Sequence, residues 1–365
     1  MKYTVADYYP TFACKCGDCR DSCCVGWPVT IGKEEYERIM ASDCPPEYRE
    51  ELKNALQLNF APDEERYAHI VHDKHGKCRL QRADGLCGLQ LTLGEEVLPA
   101  VCRLFPRNRR EVGGDRECAL SMSCEAVVEQ LFSSREPLGF IKTEIEEAPL
   151  FPIDMSEEQK YRCRRAEEIM SDRSQSIPER FARMGSELFG CSGSEDEAGG
   201  KLESVRLLQK LTQDCSGKNR VAGSLCGEAL TCFGVERKER LSRSEAEELL
   251  QRYEEAKAEV LGRRPNWTEA ADRLLVNHMF YNSFPHVGGT SDGERAFTGL
   301  CAVYAFAKFV TVGNMLHRET REEAADVLAK LGRMIEHSDF KYRAAQAYRR
   351  QQEYCPGYWK QLVSL

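Results

Sequence analysis

FACKCGDCRDSCCVGWPVTI (Phe12–Ile31) carries five cysteines among small and charged residues before it closes on a strand-like run, and this stretch decides how the chain is read. Buried structural cysteines usually sit in apolar helical or strand patterns. Cys14, Cys16, Cys19, Cys23 and Cys24 instead have Gly, Asp, Arg and Lys as neighbours. Thiols in short, bendable polar segments can converge on an ion or a cluster. The adjacent pair Cys23-Cys24 points to two shared sites or to one ligand beside one packed thiol, because neighbours seldom both reach one ion.

Working outward, a helix is expected over Lys33–Ala41, a loop through Cys44-Pro45-Pro46, and a short strand near Tyr67–Val71. CRLQRADGLC (Cys78–Cys87) holds a turn signal at Ala83-Asp84-Gly85 and reads as a hairpin bringing two thiols together. Cys102 lies in a short helical stretch closed by Pro106, and Cys124 opens an apolar helix. Eleven of the 18 cysteines fall between Cys14 and Cys124. This part is poor in apolar periodicity, so a bound metal or cluster is expected to supply part of its folding energy. His69, His72 and His75 read as solvated loop histidines.

After Ser156 the pattern becomes helical. Ser156…Gln159, Ser242…Glu245 and Thr320…Glu323 are capping-box signatures before amphipathic runs. Further helices are expected at Ile177–Phe189, Ser204–Thr212, Thr268–Ser283 and Asp339–Gln352, with a Gly/Ser/acidic loop over Gly190–Lys201. The resulting fold class is mainly α: a loop-rich, cysteine-cluster N-terminal module with short strands (residues 1–128), followed by a helical domain (residues 129–365).

The 365 residues carry a net charge of −8, which argues against nonspecific nucleic-acid binding. The apolar stretch Leu300–Leu316 contains Lys308, Thr311 and Asn314 and falls short of the ~20 residues a membrane span needs, so it reads as a buried core helix. The opening residues lack the apolar region of a secretory signal. Together these point to a cytoplasmic chain, where reduced cysteines serve metal or redox chemistry more readily than disulfides. No G-x-G-x-x-G after a strand, Walker A, nucleophile elbow, H-E-x-x-H or radical C-x3-C-x2-C spacing is present. The residues alone do not name a reaction. Asn277, His278, Tyr281 and Tyr304 read as satisfied core or interface groups on apolar helices.

Phe12–Ile31, CRLQRADGLCGLQLTLGEEVLPAVCRLFPR (Cys78–Arg107) and LSMSCEAV (Leu120–Val127) resemble the flagellin lysine-N-methylase family. LLVNHMFYNSFPH (Leu274–His286) and the helix from Leu300 extend the resemblance more weakly. It implies methyl transfer from S-adenosylmethionine to the ε-nitrogen of surface lysines on flagellin, by a protein holding a [4Fe–4S] cluster. The family's cysteines correspond here to Cys14, Cys19, Cys23, Cys24, Cys78, Cys87, Cys102 and Cys124, and Cys16 is an extra. The resemblance assigns no donor-binding or lysine-binding residue. The N-terminal part is also similar to a cysteine-rich family described as zinc- or iron-chelating, which keeps open a noncatalytic metal-binding scaffold with zinc in place of the cluster.

Overall fold

Lys2–Ala6 (KYTVA) buries Tyr3, Val5 and Ala6, and it forms a strand that the cysteine-led reading does not anticipate. In this computed structural model, which describes residues 1–26, 29–145, 151–216, 221–236, 238–263, 267–286 and 292–365, that strand enters a mixed five-stranded sheet. The strand order is Phe140–Glu144, Lys2–Ala6, Asp115–Leu120, Arg107–Val112, Phe151–Ile153. Lys2–Ala6 runs antiparallel to Phe140–Glu144, with Thr4 opposite Lys142, and parallel to Asp115–Leu120, with Val5 opposite Cys118. Arg107–Val112 runs parallel to Phe151–Ile153. Gly113 and Gly114, both at positive φ, make the tight turn between the two middle strands.

These long-range pairings redraw the domain boundaries. The chain divides into two compact units, one of Met1–Phe12 with Asn108–Leu365 and the other of Ala13–Arg107. The thiol-bearing unit is therefore narrower than the residues 1–128 expected, and it is inserted between the first strand and the rest. Residues 108–128 leave it because Asp115–Leu120 pairs with the N-terminal strand and Glu125–Ser133 is a buried helix. Strand pairing across more than a hundred residues leaves no local signature.

The larger unit is mainly helical, as expected. Helices run over Glu157–Ser171, Ile177–Phe189, Glu197–Ser216, Gly223–Cys232, Arg243–Arg263, Trp267–Tyr281, Gly293–Met315, Arg321–Glu336 and Phe340–Gln351. The caps form as the sequence implies: the Ser156 and Gln159 pair and the Thr320 and Glu323 pair each bond reciprocally. Glu245 likewise accepts the Ser242 N–H at 2.8 Å. Gly293–Met315 is long and apolar enough to cross a membrane by composition, but it is mostly buried within the protein, with Phe297, Phe306 and Phe309 in the core. Phe309 packs on Phe233 with ring centroids 4.6 Å apart, and Phe306 on Phe340 at 4.5 Å.

One loop expectation is corrected. Gly190–Lys201 is not a loop throughout, because a helix begins at Glu197. Asp196 caps it, its Oδ1 accepting the Gly199 N–H at 2.9 Å. The Gly-Gly pair that suggested a linker thus lies in a first turn. Sheet and helices are joined by Arg110, 1% exposed, which bonds Glu117 at 2.8 Å and the main-chain carbonyls of Tyr281, at 2.6 Å, and Phe280.

The Ala13–Arg107 unit has a three-stranded antiparallel sheet of Val29–Ile31, Ala68–Ile70 and Leu56–Leu58, and helices at Lys33–Ala41 and Pro46–Ala55. Ile31, Ile39, Leu52, Leu56, Ile70, Leu80 and Leu89 form its own apolar core. Its buried side chains are spread over short elements, which is why this part of the sequence shows little apolar periodicity. His69, expected to be solvated, sits in the middle strand and pairs with Asn59 at 2.9 Å. His72 is half-buried and His75 exposed.

Candidate functional site

Four segments of the smaller unit bring thiols together. The Cys78 N–H donates to the Cys24 carbonyl at 2.8 Å, so these two segments lie side by side. The expected hairpin is shortened to a single bridge between Gln81 and Cys87, closed by a turn with Gly85 at φ +82. A Cβ at Gly85 would lie 2.8 Å from the Gly17 carbonyl, and one at Gly17 would lie 2.7 Å from that of Asp84. Bare glycines on both sides let the first cysteine loop lie against this turn. Gln81 ties the same loops, donating to Ser22 at 3.1 Å and to the Gly85 carbonyl at 2.9 Å. Cys87 then caps the helix Gly88–Leu93. Cys102 lies in the helix Ala100–Leu104, whose first N–H donates to Glu35 at 2.7 Å.

Electrostatics single out four sulfurs. Burial pushes the Cys78 thiol up to about 11, and the neighbouring Cys24 and Cys87 add to the rise. Burial, then Cys24, also raises Cys87. Cys102 keeps an exposed face, yet desolvation and then Cys24, Cys87 and Cys78 push its thiol up as well. Cys24 thus raises Cys78, Cys87 and Cys102 alike, which places these four sulfurs in one neighbourhood. That is the situation a bound cation relieves, because metal binding displaces the thiol protons.

Four candidates remain. Cys14 is exposed, and its Sγ accepts the N–H of Cys16 at 3.3 Å, with Cys16 at φ +52. Cys19 and Cys23 are half-buried in the first loop. Cys124 belongs to the larger unit, where it is buried as the cap of Glu125–Ser133. Among the described residues, no three His, Cys, Asp or Glu side chains are drawn together closely enough to hold a lone ion. Cys24, Cys78, Cys87 and Cys102 have the number and type of ligands that a four-iron cluster takes.

The larger unit contains a cavity of about 270 Å³. Its walls include Leu275, Val303, Leu328 and Leu331, and Lys257 and Lys308 also reach it, with no carboxylate among the described lining residues. Leu261 is exposed at the rim, whereas His278 and Thr311 are buried. The imidazole Nδ1 of His278 is 3.2 Å from a carboxylate oxygen of Glu336, whose side chain is fully buried. Glu336 also accepts from the Ser121 hydroxyl. Asn277 is the satisfied core residue expected, accepting from Tyr8 at 2.6 Å and donating to the Leu120 carbonyl at 3.0 Å. Tyr281 is largely buried, its hydroxyl pushed upward by desolvation first and by Glu336 second. His278 and Tyr304, also read as core groups, instead line the cavity. The sequence signal was Lys308, a lone lysine within an otherwise apolar helix. Glu336 left none.

Lys308 makes its own prediction. Desolvation, with a smaller push from Lys257, lowers its ammonium from the ordinary 10.5 to about 8. Below pH 8 both folded and unfolded chains carry the proton, and the folded state bears the full desolvation cost. Between 8 and 10.5 only the unfolded chain holds it, so the contribution of this group to stability rises with pH across that window. Lys308→Met should flatten that rise and, at pH 7, stabilise the protein by about 1–3 kcal/mol, read by urea unfolding at pH 7 and pH 10.

Residues 192–355 match the family model described as "FliB lysine N-methylase C-terminal domain". Curated relatives include proteins named lysine-N-methylase from Salmonella typhimurium and Salmonella choleraesuis, each 28% identical over 160 residues, covering 39% of this chain and 36% of the relative. The flagellar biosynthetic protein FliU of Salmonella muenchen is 26% identical over 132 residues, covering 35% of this chain and 75% of the relative. The match thus spans about a third of the length of the lysine-N-methylases. No solved structure matches.

Proposed function

We propose, from the resemblance of this chain to the FliB lysine N-methylase family, that it is a cytoplasmic protein-lysine N-methyltransferase that modifies surface lysines of flagellin with S-adenosylmethionine as donor. The single observation carrying this reading is the family match over residues 192–355, the part that contains His278, Lys308 and Glu336. Flagellin as substrate draws on the relative named a flagellar biosynthetic protein.

The chemistry constrains what the protein must do. A neutral ε-amine attacks the donor's methyl carbon, the C–S bond breaks, and its electron pair stays on sulfur as a thioether. The amine's extra proton passes to a base. At neutral pH lysine is an ammonium without a lone pair, so the site must favour its neutral form by desolvation or by like charge. Cys24, Cys78, Cys87 and Cys102 would hold the [4Fe–4S] cluster, which when bound supplies a covalent tie among four loop segments of the smaller unit. Cys14, Cys19, Cys23 and Cys124 are the remaining candidates, the last of them in the other unit.

The test is anaerobic incubation of purified protein with purified flagellin and donor labelled in the methyl group. Label on flagellin that disappears when its lysines are blocked beforehand is the expected result. Absence of label from protein containing its full metal complement would defeat the methylase reading. Zinc without sulfide in active or inactive protein would defeat the cluster assignment. Zinc in a chain that transfers no methyl group would favour the chelating scaffold, which the same four-thiol set also suits.

A further inference from the structure

We infer that the cavity of the larger unit receives the acceptor lysine side chain and that His278 takes its proton, with Glu336 as the residue that positions the imidazole. This rests on the methylase reading and supplies its acceptor site, which neither the motifs nor the relatives assign.

Three observations carry it. The first is shape and lining: the cavity has an exposed rim at Leu261, buried residues such as Thr311 and Leu331 deeper in, and aliphatic walls suited to a four-carbon stem. Thr311 is 3% exposed, and its hydroxyl has no hydrogen-bond partner among the described residues. It is a polar group left for a guest.

The second is charge. Among the described residues no carboxylate lines the cavity, and Lys257 and Lys308 do. Lys257 donates to the Leu365 carbonyl at 2.6 Å, while Lys308 faces the Tyr304 ring, with its centroid 5.8 Å away. A site built to hold an ammonium would place an acid there. A site that must present a neutral amine does the reverse, since apolar walls and a nearby cation both favour loss of the guest's proton. Burial lowers the Lys308 ammonium in the same direction.

The third is a base in place. Nδ1 lies 3.2 Å from the buried Glu336 carboxylate and 3.2 Å from the Asn282 amide nitrogen, and in the tautomer that donates Nδ1–H to the carboxylate the Nε2 lone pair is free. Nε2 makes no hydrogen bond among the described residues. The charged and titratable groups around this ring are Glu336 and His337, Lys341 and Arg295 beside the smaller neighbouring cavity, and Lys257 and Lys308 in the larger one. In the transfer, the ammonium proton moves to His278 Nε2. The freed pair then forms the N–C bond as the C–S bond breaks.

The experiment measures kcat/KM for a lysine peptide from flagellin against pH, in the metal-loaded full chain. His278→Ala should lower it at pH 7 by about 100-fold. The defect should shrink toward pH 10, where solution deprotonates the amine unaided. Added imidazole should restore part of the rate. Glu336→Gln should lower kcat by about tenfold without changing KM for the donor. Lys308→Met should lower KM for the peptide, by relieving repulsion, while moving the acid limb of the profile to higher pH. Melting curves and His278→Gln separate loss of folding from loss of the base. An active wild type with an unaltered His278→Ala profile overturns this inference and spares the methylase reading. A Lys308→Met variant with raised peptide KM also overturns it, because the cavity would then favour an anion. A metal-loaded wild type that transfers no methyl group brings down both.

Discussion

Cys78→Ser should yield protein that has lost iron and sulfide together, from about four of each per chain in the wild type to nearly none. Cys24→Ser, Cys87→Ser and Cys102→Ser should behave alike. The reason is the shared neighbourhood: the Cys24 charge reaches Cys78, Cys87 and Cys102, and removing any one sulfur leaves a three-thiolate set in a partly desolvated site. Cys14→Ser should keep its complement, because Cys14 is exposed and pairs locally with Cys16. Iron and sulfide assays with visible spectra on anaerobically purified variants decide this. Equal losses in Cys14→Ser and Cys78→Ser would mean that the cluster draws on the first loop instead.

The largest stability effect is expected at Asp272. Its carboxylate is 2% exposed and lies between two guanidinium groups, 2.6 Å from Arg173 and 3.2 Å from Arg180. Arg180 is itself buried and also donates to the carbonyls of Met170 and Gln175, both at 2.8 Å. Those two bonds hold the guanidinium in place once its counter-charge is gone. Asp272→Ala would therefore strand a buried cation, at a cost of about 3–5 kcal/mol. Asp214→Ala removes only an exposed partner of Lys210 and should cost less than about 1 kcal/mol. Urea unfolding of the two variants makes the comparison. Equal midpoints would show that Arg180 reaches water without rearrangement.

Local signals in the sequence were reliable where the physics is local. Ser156, Ser242 and Thr320 marked helix starts because a cap is written within four residues. The extent of the larger unit was not so readable. Lys2–Ala6 meets Asp115–Leu120 and Phe140–Glu144 through pairings more than a hundred residues apart, and nothing in either segment names its partner. The same holds for the thiols. Spacing identified eight candidate ligands, while the grouping of Cys24 with Cys78, Cys87 and Cys102 comes from main-chain contacts such as Cys78 to Cys24 and from the Gly17–Gly85 approach. His278 looked like an ordinary core histidine because the carboxylate that orients it lies 58 residues away.

The central claim is methyl transfer to flagellin lysines, and the intact mass of flagellin after anaerobic incubation with the metal-loaded chain and S-adenosylmethionine tests it most directly. The account predicts a ladder of mass gains, each equal to one methyl replacing one proton, that maps to lysine ε-nitrogens and is absent without donor. Flagellin of unchanged mass, from protein that holds its full iron and sulfide, would contradict it.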